Sequence, residues 1–169
     1  MKVLLLTTTT LVMSLLILSH QAQAADILSI IPGKSLGSIE IDEKRADLLN
    51  EGFGPSGAHD PEMYLRKGDI VVKLDNAKVS EIFFDSSSYK NLRLRGKKFP
   101  KDTRAKDMRR FFKKCGPSVK SSGGTLIYCE NRGIELSYSS APSSKKRLVG
   151  LAIVTPALVE SVLNPSSEK

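Results

Sequence analysis

His59 is the one histidine beyond the first two dozen residues, and it stands in the stretch Gly57-Ala58-His59-Asp60-Pro61-Glu62. A histidine beside carboxylates can work as a general acid or base, or supply part of a metal site. Zinc sites take three or four ligands at defined spacing, and His59 with Asp60 and Glu62 does not reach that set. Serines and aspartates are numerous enough for a hydrolytic triad by count, but no Gly-x-Ser-x-Gly elbow is present. No carboxylate pair marks glycoside cleavage. Gly123-Gly124 follows Ser121-Ser122 without the Gly-Lys-Ser/Thr ending and helix of a phosphate cradle, so it reads as a hairpin loop. The expectation is a surface-loop histidine in a protein that is not an enzyme and carries no metal or cofactor. A small secreted hydrolase using His59 is the alternative.

The other chemistry the residues offer is charge. Residues 93–114 hold eleven basic side chains: Arg93, Arg95, Lys97, Lys98, Lys101, Arg104, Lys106, Arg109, Arg110, Lys113 and Lys114. Only Asp102 and Asp107 oppose them, so the segment carries +9. At about 100° per residue, Lys106, Arg109, Arg110 and Lys113 form one stripe on a helix, away from Ala105, Met108 and Phe112. Like charges four residues apart cost a helix roughly 0.2–0.5 kcal/mol per pair. Lys113 and Lys114 have a partial structural reason in the helix dipole. Arg93, Arg95, Lys97 and Lys98 have none. Plain solvation is the competing account of such a face. Phe99 and Phe111 would add apolar contact beside it, unless Phe111 is core.

Which partner the charge implies depends on the compartment. Lys2 precedes residues 3–18, which contain no charge and only Thr7, Thr8, Thr9, Thr10 and Ser14 as polar residues. Ala22-Gln23-Ala24 then gives the small-x-small pattern of a cleavage site, so residues 1–24 read as a signal peptide. The stretch is short for a membrane-spanning helix, although an uncleaved anchor is the alternative. No cysteine follows Ala24, so no lipid anchor is expected, and no later segment is apolar enough to span a bilayer. Residues 25–169 would form the mature chain, with charge +7 and the length of one domain. In an exported protein, periplasmic or extracellular, a basic face points away from nucleic acid. It points towards an acidic protein or an anionic envelope lipid or polysaccharide. Cys115 and Cys129 are the two cysteines, and in an oxidising compartment an even pair is most simply a disulfide, with two buried thiols as the alternative. Closing that loop is worth about 3 kcal/mol.

The elements that position these residues repeat along the chain. Gly54-Pro55-Ser56 recurs as Gly116-Pro117-Ser118, each after a helical pattern. Tyr64-Leu65-Arg66-Lys67-Gly68 leads into Ile70, Val72 and Leu74, and Tyr128 to Gly133 leads into Ile134, Leu136 and Tyr138. A third strand closes each unit, over 78–84 and 147–154. Asp42 is placed to cap the first helix, with Ala46, Leu49 and Phe53 on its buried face. Gly54 and Pro55 end it. The second helix starts near Asp102 or Thr103, buries Ala105, Met108, Phe112 and Cys115, and stops at Gly116-Pro117. Asp75-Asn76 marks a tight turn. Ser140-Ala141-Pro142-Ser143-Ser144 marks a longer loop. The expected fold is α+β: two tandem helix–three-strand-meander repeats, about 36–85 and 92–155, forming one sheet with the helices on one face. They sit in a single domain over 25–165, linked by residues 85–92, with a flexible tail at 166–169.

Two helix–Gly-Pro–meander units in an exported chain resemble the β-lactamase-inhibitor-protein-like fold, which includes the small lipoprotein of the outer-membrane assembly machine. The likeness rests on Gly54-Pro55 with Tyr64 and Gly68, and on Gly116-Pro117 with Tyr128 and Gly133. It spans 42–84 and 102–154. The resemblance implies a protein-binding module that inhibits an enzyme or braces an assembly. It also implies a disulfide from helix end to following strand, which suits Cys115 and Cys129. The chain departs from the family in lacking the lipoprotein's anchor cysteine and in having no tryptophan where the inhibitor's binding face is rich in aromatics.

Three functions follow. The first is a non-enzymatic binding module whose site is Arg93, Arg95, Lys97, Lys98, Lys101, Lys106, Arg109, Arg110 and Lys113. The second is the His59 hydrolase. The third is an envelope scaffold, because strand 148–154 is apolar on both faces and must be covered twice. A tail helix over 157–163 would provide the second cover in a monomer; a docked protein is the alternative.

Overall fold

The computed structural model describes residues 27–57, 59–85, 89–100, 103–140 and 147–163. Residues 1–24, read above as a signal peptide, lie outside the described residues, as do Lys101, Asp102, most of the Ser140–Ser144 loop, the 166–169 tail and part of the 85–92 link. The fold is α+β, with two sheets and three helices.

The larger sheet is antiparallel and has eight strands: β4 (Gly54–Pro55), β5 (Tyr64–Lys67), β6 (Ile70–Asp75), β7 (Lys78–Phe84), β10 (Ser118–Ser121), β11 (Gly124–Cys129), β12 (Ile134–Tyr138) and β13 (Leu148–Val154). Their order is β10-β11-β12-β13-β7-β6-β5-β4. The last strands of the two halves, β7 and β13, therefore pair at the centre, with Ile153 opposite Ile82. One cross-strand row runs Ile134, Ile153, Ile82, Val72, Leu65, all fully buried. Paired apolar side chains on one face are what stabilise a sheet.

The structure departs here from the expectation of a single sheet. A second, five-stranded sheet has the order β3-β2-β1-β8-β9, from β1 (Leu28–Ile31), β2 (Ser35–Leu36), β3 (Ile39–Glu40), β8 (Leu92–Leu94) and β9 (Lys97–Lys98). The alternation of Leu28, Ile30, Leu36, Leu92 and Leu94 sends its inner face onto the same core as the ladder above. Strands of two residues, as β2, β3 and β9 are, carry too little alternation to announce this sheet.

Helix α1 (Arg45–Asn50) and helix α2 (Ala105–Phe111) pack into that core through Leu48 and Met108, both fully buried. Both helices start later than the capping residues suggest. Lys44 and Arg104 are the N-caps, without side-chain cap bonds. Asp42 instead sits in a left-handed turn (φ 69°), its N–H donating to the Val79 carbonyl. The residue before each helix makes the same isolated bridge to a third strand, Lys44 with Lys78 and Arg104 with Arg147.

The ends differ too. Gly52 (φ 89°), not Gly54, ends α1: its N–H donates to Leu49 O at 3.1 Å and the Phe53 N–H to Leu48 O at 3.0 Å. This is the paired bonding of a left-handed cap, with Phe53 folding back onto Leu48. Gly54 and Pro55 are free to start β4. The shift turns Leu49 outward, 44% exposed, and leaves Ala46 exposed. Helix α2 ends at Phe112 in an extended conformation, so Gly116 does not stop it; the Gly116 N–H bonds to Tyr128 O at 2.9 Å. Asn76 and Ala77 (φ 50° and 58°) make the tight β6–β7 turn, whose twist suits a hairpin.

A third helix, α3 (Pro156–Leu163), lies on the opposite face of the large sheet. Its Val159 packs with Tyr128, Ala152 and Val154. It covers part of the second face of β13, while Val149 at the other end of that strand stays exposed. The helices are thus on both faces, not one.

Candidate functional site

The basic residues come from three pieces of backbone, and a single carboxylate gathers two of them. The β8–β9 hairpin turns at Arg95 and Gly96, both left-handed (φ 51° and 74°). Arg95 reaches the Glu130 carboxylate with both terminal guanidinium nitrogens, Nη1 and Nη2. Glu130 also accepts the backbone N–H of Lys113 at 2.7 Å, just past α2. Its side chain is only 4% exposed, so the charge is held by partners rather than water. The backbone around it is unusual: Glu130, Asn131 and Arg132 are consecutive left-handed residues (φ 54°, 57° and 70°). The Cys115–Cys129 disulfide fixes the adjoining position.

The site residues separate into two groups around this clamp. Arg93 is half-buried and donates to Lys90 O and Leu92 O. Arg95 is held by Glu130. Arg109 donates to Gly116 O at 2.9 Å, tying α2 to the chain that follows it. Arg104, also in the basic run, pairs with Asp107. These are positioned residues. Lys97, Lys98, Lys106, Arg110, Lys113 and Lys114 are exposed and form no ion pair among the described residues. The helical stripe is shorter than its spacing predicts, because α2 stops at Phe111 and Lys113 lies beyond it in a bend. Phe99 does not add an apolar rim. It is buried, stacked on Tyr89 at 5.3 Å and edge-on to Phe111 and Phe112. Lys101 lies outside the described residues.

Glu130 is the residue that sequence reasoning missed. The signal for it was its place next to Cys129, whose disulfide partner follows directly on Lys113 and Lys114.

His59 sits elsewhere. It is exposed and packs against Tyr64, with ring centres 4.7 Å apart and planes tilted by 36°. Asp60 accepts the Glu62 N–H at 2.9 Å, which closes the turn rather than facing the histidine. Among the described residues no group of three or more His, Cys, Asp or Glu is placed to hold a metal.

The His59–Tyr64 pair instead lines one side of a groove of about 450 Å³ on the open face of the large sheet. Phe83 and Val149 add apolar walls, and Glu135 sits within it. The row here is Tyr128, Glu135, Ala152, Phe83, Val71, Arg66, reading across six strands. Burial pushes the Glu135 carboxyl above its ordinary value of 4.5, against hydrogen bonds from Tyr128 and Ser137 that favour the ionised form. A carboxyl whose pKa is raised on folding binds more protons native than unfolded. Its contribution to stability therefore falls as pH rises from about 4.5 through the folded value. Glu135→Gln is expected to be more stable than the parent, by a margin that widens between about pH 4 and pH 7 in urea titrations. A margin constant with pH would show that Glu135 is not desolvated.

Comparison with family models, with curated protein sequences and with solved structures gives no match in any of the three.

Proposed function

We propose that this chain is an exported, non-enzymatic binding module that engages an anionic partner through the surface around Glu130. The partner would be an acidic protein or an anionic envelope lipid or polysaccharide. The observation that carries the reading is that six cations (Lys97, Lys98, Lys106, Arg110, Lys113 and Lys114) stay unpaired among the described residues. The one buried acid beside them is already consumed in holding the frame. A face kept only for solubility would be expected to intersperse acids, as surfaces with mixed charge do.

The proposal includes export after cleavage at Ala24, into periplasm or medium. The leader-like composition of residues 1–24 and the Cys115–Cys129 disulfide support it. It also includes a duplicated architecture like that of the β-lactamase-inhibitor-protein-like fold. Support comes from equivalent bridges at Lys44 and Arg104, equivalent buried residues at Leu48 and Met108, and the meeting of the two third strands, β7 and β13.

The test is charge reversal at Lys97, Lys98, Arg110 and Lys113, each to Glu. Arg95 and Arg109 are left alone because they hold the fold. Binding of labelled protein to isolated cell envelopes is expected to fall by more than about a hundredfold, at roughly 1 kcal/mol per cation at an anionic surface. The parent's binding should also weaken steeply with salt, since exposed charges are screened over about 8–10 Å. Retention equal to the parent's would refute the reading.

A further inference from the structure

We infer that the outer face of the five-stranded sheet seats on an anionic lipid bilayer, with Ile27 and Ile31 entering the headgroup region. The inference rests on the anionic-partner reading above and commits it to one partner.

Strand β1 alternates cleanly. Leu28 and Ile30 face the core, and Ile27, Ser29 and Ile31 face out. Ile27 is 64% exposed and Ile31 48%. A single exposed isoleucine is ordinary. Ile31 on the outward side of β1 and Ile27 just before that strand, with cations beside them, are a pattern. The parallel pairing of β1 with β8 sets Ser29 opposite Arg93, and the β8–β9 pairing sets Arg93 opposite Lys98. The parallel register ends at Ile30 opposite Leu94, and Arg95, which Glu130 holds, follows Leu94 at the hairpin turn. On the other flank, Glu40 is answered by Lys34 at 3.7 Å. This face is continuous with the surface already described, because Arg95 and Lys113 share Glu130.

The three anionic partners make different demands. A polysaccharide answers the cations and offers the isoleucines no apolar medium, and an acidic protein would need an apolar patch set among its acids to match them. A bilayer interface answers both, because binding there scales with buried apolar area plus attraction to anionic headgroups.

The experiment uses the mature chain with vesicles of phosphatidylcholine alone or mixed with phosphatidylglycerol, and soluble polyglutamate as the protein-like anion. The parent should co-sediment with the mixed vesicles and not with phosphatidylcholine alone. Ile27→Ser combined with Ile31→Ser should weaken vesicle binding about tenfold or more while leaving polyglutamate binding unchanged. Lys97→Glu with Lys98→Glu should weaken both. The chain has no tryptophan, so Ile31→Trp adds a unique reporter whose emission should shift to the blue on mixed vesicles. Both isoleucines are exposed, and thermal unfolding checks that the variants fold. Vesicle binding that survives the double serine change, or an unshifted emission spectrum in the Ile31→Trp variant, overturns the seating of this face through its isoleucines and leaves the anionic reading intact. So does binding to polyglutamate without binding to vesicles. Binding to neither overturns both.

Discussion

Gly133→Ala is expected to lower the stability of the domain by about 3 kcal/mol, at the upper end of the usual cost of overpacking. For a chain of this size that is a fall in Tm of roughly 6–12 °C. The cause is close approach. A Cβ at 133 would lie 2.4 Å from Gly33 N and 2.7 Å from Pro32 C, both backbone atoms that cannot rotate away. The Gly133 carbonyl accepts the Gly33 N–H at 2.9 Å and the Val154 N–H at 3.3 Å, so the added methyl would prise open the contact that fastens the β1–β2 turn to the large sheet. Gly52→Ala is the comparator. Gly52 needs its left-handed φ of 89° but has open space around it, so its loss should cost only about 1–2 kcal/mol. Amide exchange at Gly33 reads the local effect, and should speed up in Gly133→Ala and not in Gly52→Ala. Equal stabilities for the two variants would show that the approach is not tight.

The second large effect is loss of the disulfide. Cys115 and Cys129 close a loop with a sequence separation of 14, which is worth about 3 kcal/mol through restriction of the unfolded chain. The cost is local as well, because the bond holds the strand end at Cys129 against the segment where Lys113 meets Glu130. A Cys115→Ala/Cys129→Ala variant should unfold roughly 6–12 °C below the parent and be indifferent to reductant, while the parent should fall to meet it when reduced. A parent whose Tm is unmoved after complete reduction, verified by mass, would sink the prediction.

Local signals in the sequence carry the elements further than their boundaries. The alternation at Ile70, Val72 and Leu74, and at Ile134 and Leu136, marks real strands, because a period of two with one buried face has few alternative explanations. The disulfide follows from the cysteine count. The helix ends are misread because Asp42 and Gly54 look like caps in isolation. Tertiary bonds (Asp42 N–H to Val79 O, and the cap at Gly52) assign them to a turn and a strand. The five-stranded sheet is hidden because β2, β3 and β9 have two residues each, too short for any periodicity. In the site, spacing reveals where the cations lie but not which are spent: Arg93, Arg95 and Arg109 bond to groups distant or off-pattern in sequence, and no charge count shows that.

The eight-stranded sheet ends on β4 and β10, and those two margins bear on how copies of the chain meet. An open sheet invites another copy to extend it strand by strand, a route to fibrils. At one margin β4 offers two residues, and Pro55 has no N–H to give a newcomer. At the other, β10 is Ser118-Val119-Lys120-Ser121, with Lys120 exposed, so each added copy would bring a lysine against the sheet. The longest strands, β7 and β13, are locked together at the centre, where no second chain can reach them. A chain that concentrates at a charged surface would gain from such margins, because crowding there need not turn into polymerisation.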